Sequence, residues 1–292
     1  MRDDFVAFIL SHGRADRVHT YDELRRSGYT GRIYVVIDDE DESAEHYHAT
    51  FGAEVLVFSK ANIAARFDEA DNFDDRRAIF YARNACWDLA RQVGARYFIQ
   101  LDDDYTSFFY RFDTAGMWGS YRIRSTLNDL FEALVDFLDE TQAATVAISQ
   151  GGDHIGGAPP DIRLKRKAMN SFVCDVERPF DFVGRVNEDV NTYVSEGRRG
   201  KLFLTVMQAQ LNQKPTQANA GGMTDLYLDA GTYVKSFYTV LYAPSAARIG
   251  ELGDPGRKGG AEKGVAHYRI HHAIDWPRTA PCILREEHRR ER

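Results

Sequence analysis

Tyr97-Phe98-Ile99-Gln100-Leu101-Asp102-Asp103-Asp104 is an apolar run of strand length that stops in three carboxylates. Adjacent negative charges repel, so folding alone gives little reason to gather them. A divalent cation gives one. Carboxylate oxygens are the hard ligands that Mg²⁺ and Mn²⁺ prefer, and such ions commonly share their shell with substrate phosphates. Side chains alternate along a strand, so Asp102 and Asp104 are expected on one side and Asp103 on the other. An acidic, solvated turn has the same local look, and only the surrounding chain separates the two.

Upstream, strands and helices alternate. Residues 5–10 form a continuous apolar run, as in a buried parallel strand, and Ser11-His12-Gly13-Arg14 is a turn. Val18, Tyr21 and Leu24 give a helix over 16–27 one apolar face, and Gly28 ends it. A second strand, 33–37, runs into Asp38-Asp39; a helix over 42–51 and a strand over 54–58 follow. Ala82, Cys86, Leu89 and Val93 lie on one stripe of a helix over 79–93. This β-α-β-α-β order with short connections predicts a parallel sheet with right-handed crossovers. Ligands of such sheets sit outside the carboxyl ends of the strands. Residues 11–14, 38–39 and 102–104 are therefore expected to converge on one crevice.

Downstream, a helix over 122–140 would bury Leu127, Leu130, Phe131, Leu134, Phe137 and Leu138. A strand over 145–149 leads to a glycine-rich stretch, 151–160, which lacks the Gly-Lys-Ser/Thr ending of a P-loop. Strands are expected over 171–174 and 202–207, and a helix over 190–196 opened by Asn187-Glu188-Asp189. Residues 253–264 are rich in glycine and charge and read as a mobile loop. No internal repeat and no clear linker interrupts the chain. The expectation is one α/β domain over 1–292: a Rossmann-type, mostly parallel sheet flanked by helices, with a less regular C-terminal half.

The 292 residues are 43% hydrophobic and 28% charged, ample for a large core. No apolar segment approaches the roughly 20 residues of a membrane span. The start, Met1-Arg2-Asp3-Asp4, runs straight into the first strand without a signal-peptide pattern, which suggests a cytoplasmic location. Cys86, Cys174 and Cys282 are far apart, as in a reduced compartment. The net charge of −7 argues against wholesale nonspecific affinity for nucleic acid. It leaves room for local basic patches at Arg163, Lys165, Arg166 and Lys167, and at Arg198, Arg199 and Lys201.

Ala82-Arg83-Asn84, then about fifteen residues, then an apolar strand ending in Asp-x-Asp, resembles the GT-A class of nucleotide-sugar glycosyltransferases. A downstream Asn187-Glu188-Asp189 opening a helix, and histidines near the chain end after a glycine-rich segment, resemble it too. More narrowly, Ile9-Leu10-Ser11-His12-Gly13-Arg14, Gly221-Gly222-Met223, Gly231-Thr232-Tyr233-Val234-Lys235 and residues 271–276 look like the phage-encoded glycosyltransferases associated with TET/JBP oxygenases. That resemblance implies an enzyme that places sugar on a 5-hydroxymethylated pyrimidine, such as 5-hydroxymethylcytosine, in DNA, working in the host cytoplasm. Residues 1–110 would then be a nucleotide-binding half, and 111–292 an acceptor-binding and catalytic half.

The resemblance implies roles. Asp104 is the expected ligand of Mn²⁺ or Mg²⁺, with Asp102 on metal-bound water or the donor ribose and His271 or His272 completing the shell. Asp38 would meet the nucleobase or ribose of a UDP-sugar, with Ser11 and Arg14 near the base and diphosphate. Arg83 and Asn84 would hold phosphate and sugar, with Asp103 beside them. Asp189 is the candidate general base, and Glu188 its helper. DNA phosphates would meet Arg163, Lys165, Arg166 and Lys167, with His154 near the acceptor. Transfer to a glycan or protein, nucleotidyl transfer, and a noncatalytic sugar- or nucleic-acid-binding module are the competing readings.

Overall fold

The structure, a computed structural model, describes residues 1–69, 76, 78–154, 168–169, 171–214, 233–254 and 267–279. Four runs of apolar residues build its parallel half: β1 (Phe5–Leu10), β2 (Arg32–Asp38), β3 (Val55–Phe58) and β4 (Tyr97–Asp102). Between them lie α1 (His19–Arg26), α2 (Ala44–Phe51), α3 (Lys60–Ala64) and α4 (Phe80–Gln92). Then come β5 (Tyr105–Phe112), β6 (Trp118–Arg122), α5 (Leu127–Thr141), β7 (Thr145–Gln150) and β8 (Ser171–Asp175). The chain continues with α6 (Glu188–Arg198), β9 (Phe203–Gln213), α7 (Val234–Tyr242), β10 (Ala247–Asp254), β11 (His267–Ile274) and α8 (Trp276–Thr279).

Nine strands form one sheet in the order β3-β2-β1-β4-β8-β7-β9-β5-β6, and β10 and β11 pair in a separate hairpin. The expected parallel sheet is present from β3 to β4. Beyond β4 the sheet is mixed: β8 runs antiparallel to β4 and β7, β7 and β9 are parallel, and β5 is antiparallel to β9 and β6.

Strand alternation divides the apolar side chains between two cores. Phe5, Ala7, Ile9, Tyr97, Ile99 and Leu101 face one side with Leu24, Leu127, Phe131 and Leu134 of α1 and α5. Val6, Phe8, Leu10 and Phe98 face the other with Phe80, Tyr81, Cys86 and Leu89 of α4 and Val190, Tyr193 and Val194 of α6. Both faces of β1 are covered, which is why its six residues read as an unbroken apolar run.

Most boundaries sit within a few residues of expectation. Gly28, expected to end α1, has φ +91°, and a Cβ there would collide with the backbone of Ser125. The helix expected over 122–140 begins instead at Leu127, because residues 118–122 form edge strand β6. β9 extends six residues past its expected end at 207. Gly253 and Asp254 belong to β10, and 255–266, the rest of the expected mobile loop, lie outside the described residues. Cys86 and Cys174 are free and buried.

Candidate active site at the strand carboxyl ends

Register brings the polar clusters together. Leu10 pairs with both Val36 and Asp102, so the residues following β1, β2 and β4 emerge side by side. Ser11, next after Leu10, donates its hydroxyl to Asp103 at 2.7 Å and lies 2.7 Å from the Tyr47 hydroxyl. Arg14 meets the other Asp103 oxygen at 3.2 Å. Asp103 is 4% exposed. It therefore ties the β1 turn to the β4 end through bonds within the chain.

Asp38 lies where expected, at the end of β2, but its carboxylate is also engaged. His12 Nδ1 is 2.7 Å from Oδ2, and the Lys60 ammonium, at the start of α3, is 2.8 Å from Oδ1. Burial raises the Asp38 pKa, but the hydrogen bonds from His12 and Lys60 outweigh it and leave the pKa below the usual value. His12 in turn is held above its usual 6.5 by the bond to Asp38. Its side chain is 42% exposed against 7% for Asp38, so the imidazole presents this pair to solvent. Lys60 and Asp41, which accepts from the Gly13 amide at 2.8 Å, were not singled out from the sequence. The available signal was position: Lys60 follows the carboxyl end of β3, where the same strand-end rule applies.

Arg83 organises the other side of the aspartates. Rather than lying on a solvent face of α4, it is 1% exposed. Its Nη2 donates to Asp102 and its Nε to Glu188, each at 3.0 Å. The guanidinium lies 5.0 Å from the Phe172 ring centroid, and Nη1 has no hydrogen-bond partner. One buried cation thus joins the acidic strand end to the first turn of α6. Opposite charges keep Arg83 protonated despite its burial.

That single cation does not balance the surrounding acids. Burial, reinforced by the neighbouring Asp104, Asp103 and Asp189, pushes Asp102 up to about 7 even beside Arg83. Burial and the charge of Asp103 push Asp104 up to about 6. Burial and Asp189 raise Glu188 in the same way. Asp102 and Asp103 turn to different partners, as strand alternation implies. The strand ends at Asp102, however, so Asp104 belongs to the turn into β5, and its backbone carbonyl accepts from Lys214 at the end of β9.

Asn84 spends its amide on backbone: it donates to the Phe182 carbonyl and accepts from the Phe182 N–H, both at 2.9 Å. It pins the segment that leads into α6 rather than reaching outward. Asn187, the residue before α6, has φ +61°, a strained conformation for a side chain other than glycine. Its amide is fixed on Thr239 of α7 at 2.6 Å, and Thr239 donates to Asn191 at 3.0 Å. These bonds set where Glu188 and Asp189 emerge, at the positive end of the helix dipole.

His271 and His272 lie on the β10–β11 hairpin with ring centroids 4.2 Å apart. Among the described residues no three His, Cys, Asp or Glu side chains converge as a ready ligand set, so these histidines and the aspartates do not form one by themselves. His154 is 8% exposed, and its Nε2 is 2.8 Å from the Ser149 hydroxyl. Arg163, Lys165, Arg166 and Lys167 lie outside the described residues.

The sequence pattern of the family described as TET-Associated Glycosyltransferase matches residues 5–222. Among solved structures, the chain is similar to S. aureus TarS 1–349, with 9% identity, TM-score 0.41 and coverage of 82% of this chain and 65% of that one. It is also similar to glucosyl-3-phosphoglycerate synthase from Mycobacterium tuberculosis, solved with Mn²⁺, uridine diphosphate and phosphoglyceric acid. There the identity is 12%, the TM-score 0.43 and the coverage 99% of this chain and 91% of that one. A comparison with curated proteins found no match. The family match makes this a glycosyltransferase, built on a sheet whose parallel half ends in acids. Within that class, the chain belongs to the TET-associated glycosyltransferase family. No helix among the described residues is long and apolar enough to cross a membrane.

Proposed function

We propose that this enzyme moves a sugar from a nucleotide-diphosphate sugar, a UDP-sugar by preference, to the hydroxyl of a hydroxymethylated pyrimidine in phage DNA. The preferred acceptor is 5-hydroxymethylcytosine. The observation that carries the reading is the Asp102–Arg83–Glu188 bridge, which sets a charge-deficient acidic strand end against the first turn of α6. Carboxylates pushed up to about 7 and about 6 are short of positive charge, and their hard oxygens suit a divalent cation. Asp104 and Asp102 are the residues that would hold Mn²⁺ or Mg²⁺, with His271 or His272, which do not complete a ligand set with them here, as a further ligand. When bound, the ion would neutralise the charge that develops on the diphosphate leaving group.

The remaining work falls to side chains. Arg83 keeps Asp102 and Glu188 in place, and its Nη1, buried without a hydrogen-bond partner, is the donor left for the sugar diphosphate. His12, held by Asp38, faces the nucleoside in place of the carboxylate itself. Asp189 takes the proton from the attacking hydroxyl, contributing about 10²–10⁴-fold. A direct displacement of this kind inverts the anomeric configuration, so a product retaining configuration by NMR overturns the role of Asp189.

A panel of nucleotide sugars hydrolysed with Mn²⁺, with and without hydroxymethylated DNA, tests the whole reading. Donor hydrolysis identifies the class, and stimulation confined to modified DNA identifies the acceptor. Stimulation by a glycan or protein, but not by DNA, replaces the acceptor while keeping the chemistry. Release of sugar 1-phosphate, with the nucleotidyl group transferred to the acceptor, would instead identify a nucleotidyltransferase.

A further inference from the structure

The far edge of the sheet holds a cation that the reaction does not use. Arg111 sits where the β5–β6 register shifts between Tyr110 and Phe112. It is only 7% exposed, and its Nε is enclosed without a hydrogen-bond partner. Among the described residues its charge meets no carboxylate, only the ring of Trp118, whose centroid is 4.5 Å from the guanidinium carbon. Arg83, at the active site, has two carboxylates for the same charge. The enclosed Nε fixes the guanidinium against Trp118 while its terminal nitrogens stay open to solvent, which leaves the charge available to an anion supplied from outside.

Three further features share this edge. Tyr110 pairs with Ala209, and the antiparallel direction of β9 carries Gln208 toward Arg111. The Oε1 of Gln208 is also buried without a partner. β6 is the last strand of the sheet, and it and the residue before it present Met117, Trp118 and Tyr121 at 66%, 40% and 45% exposure. Arg122 and Arg124 are exposed at the same end, Arg122 paired with Glu23.

A peptide added to the β6 edge would use backbone hydrogen bonds and leave the Arg111 charge unanswered. A neutral glycan offers rings for Trp118 but no anion. An unpaired polynucleotide offers both, a flat base and a phosphate repeating along one strand, and base–aromatic stacking tolerates any sequence. We propose that the β5–β6 hairpin grips the acceptor strand, with Trp118 stacking on an unpaired base and Arg111 taking the adjacent phosphate. Gln208 would then meet the polar edge of that base or its sugar. The proposal rests on the DNA-acceptor reading above and adds the surface that holds the strand. Arg111 lies seven residues beyond Asp104 along β5, a span of about 23 Å at the usual strand rise, so this grip is separate from the reacting hydroxyl.

The test uses the full chain and fluorescence anisotropy on single-stranded oligonucleotides carrying 5-hydroxymethylcytosine, over a salt series. Trp118→Ala, at an exposed position, should weaken binding about tenfold. Arg111→Gln should weaken it and reduce the salt slope by about one, while Arg111→Lys keeps the slope. Donor hydrolysis without DNA should be unchanged in all three. Thermal unfolding separates function from packing: Arg111→Gln should melt no lower than the wild type, because among the described residues it breaks no ion pair or hydrogen bond. Unchanged binding and salt slope in both Trp118→Ala and Arg111→Gln, with wild-type transfer to DNA intact, overturn the grip and leave the proposed function standing. So does a lower melting temperature for Arg111→Gln with no effect of Trp118→Ala. If the wild type hydrolyses donor but neither binds nor modifies DNA, the acceptor reading and the grip fall together.

Discussion

At the carboxyl ends of β1, β2 and β4, Arg83 meets Asp102 and Glu188, Lys60 meets Asp38, and Arg14 meets Asp103. At the β5–β6 edge, 7% exposed Arg111 meets only an aromatic ring among the described residues. The first region is wired before any ligand arrives, and its shortage is of cations. The second is left open, and its shortage is of anions. A centre that must hold donor, metal and base in fixed relation works faster when its groups are already in place, since positioning is a large part of the rate. A surface that takes a strand of varying sequence needs adaptable contacts instead. Removing charge must therefore destabilise the first region and spare the second.

The largest effect is expected at Arg83. Arg83→Met leaves Asp102 and Glu188 buried without their shared cation, at a cost of about 3–5 kcal/mol. Donor hydrolysis should fall by orders of magnitude in the same variant. Adding Glu188→Gln should restore part of the stability and none of the activity, because it removes an orphaned charge without replacing the bridge. Urea unfolding midpoints measure the first effect and product release the second. If Arg83→Met unfolds at the wild-type midpoint, the bridge is not what orders this region.

Asp189→Asn should be the next largest. Loss of the proposed base lowers transfer about 10²–10⁴-fold in kcat while donor KM stays near the wild-type value. Its carboxylate accepts only the Val190 amide among the described hydrogen bonds, so stability should change little. Parallel losses in kcat and in folding would instead make Asp189 a helix-start residue.

The two regions also differ in how far they can be read from sequence. Phe5–Leu10, Arg32–Asp38 and Tyr97–Asp102 are buried on both faces, so each shows as an apolar run whose end marks the crevice. Strand-end position therefore locates Ser11, Asp38 and Asp102 without any knowledge of contacts. It does not show that Asp103 and Asp38 satisfy partners within the chain. Those bonds depend on the offset between β1 and β4 and on where Tyr47 and Lys60 come to rest. Trp118-Gly119-Ser120-Tyr121-Arg122 is exposed along most of its length, so β6 has no buried face to impose a period of two. Arg111, at an irregular pairing, is unremarkable in sequence. Its character emerges only when its described neighbours have been placed around it.

Asn84→Ala gives a smaller test within the wired region. It strands the Phe182 N–H and carbonyl, at about 1–3 kcal/mol. The segment before Asn187 should loosen, and kcat should fall more than donor KM rises, because α6 carries the proposed base. A variant that loses donor affinity alone would return Asn84 to the sugar-binding role that its sequence position suggests.

The smallest effect concerns His12 and Asp38, and its sign can be worked out. Asp38 holds the folded-state pKa of His12 above its usual 6.5. The stabilisation from charged His12 is therefore complete below about 6.5 and is lost as pH rises through the higher folded value. His12 and Lys60 outweigh burial to hold Asp38 below its usual 3.8, so its contribution is present above that value and lost as pH falls through the lower one. Both contributions are complete only between those two limits. With the His12 side chain 42% exposed, the pair contributes less than about 1 kcal/mol. His12→Ala should therefore flatten the decline in stability above pH 6.5 and leave most of the acid limb, because Lys60 still holds Asp38 at 2.8 Å. Denaturant midpoints from pH 3 to 9 distinguish the limbs: loss of the acid limb alone would mean that Asp38 depends on His12 more than on Lys60, and an unchanged upper limb would mean that the imidazole is not held by Asp38 in solution.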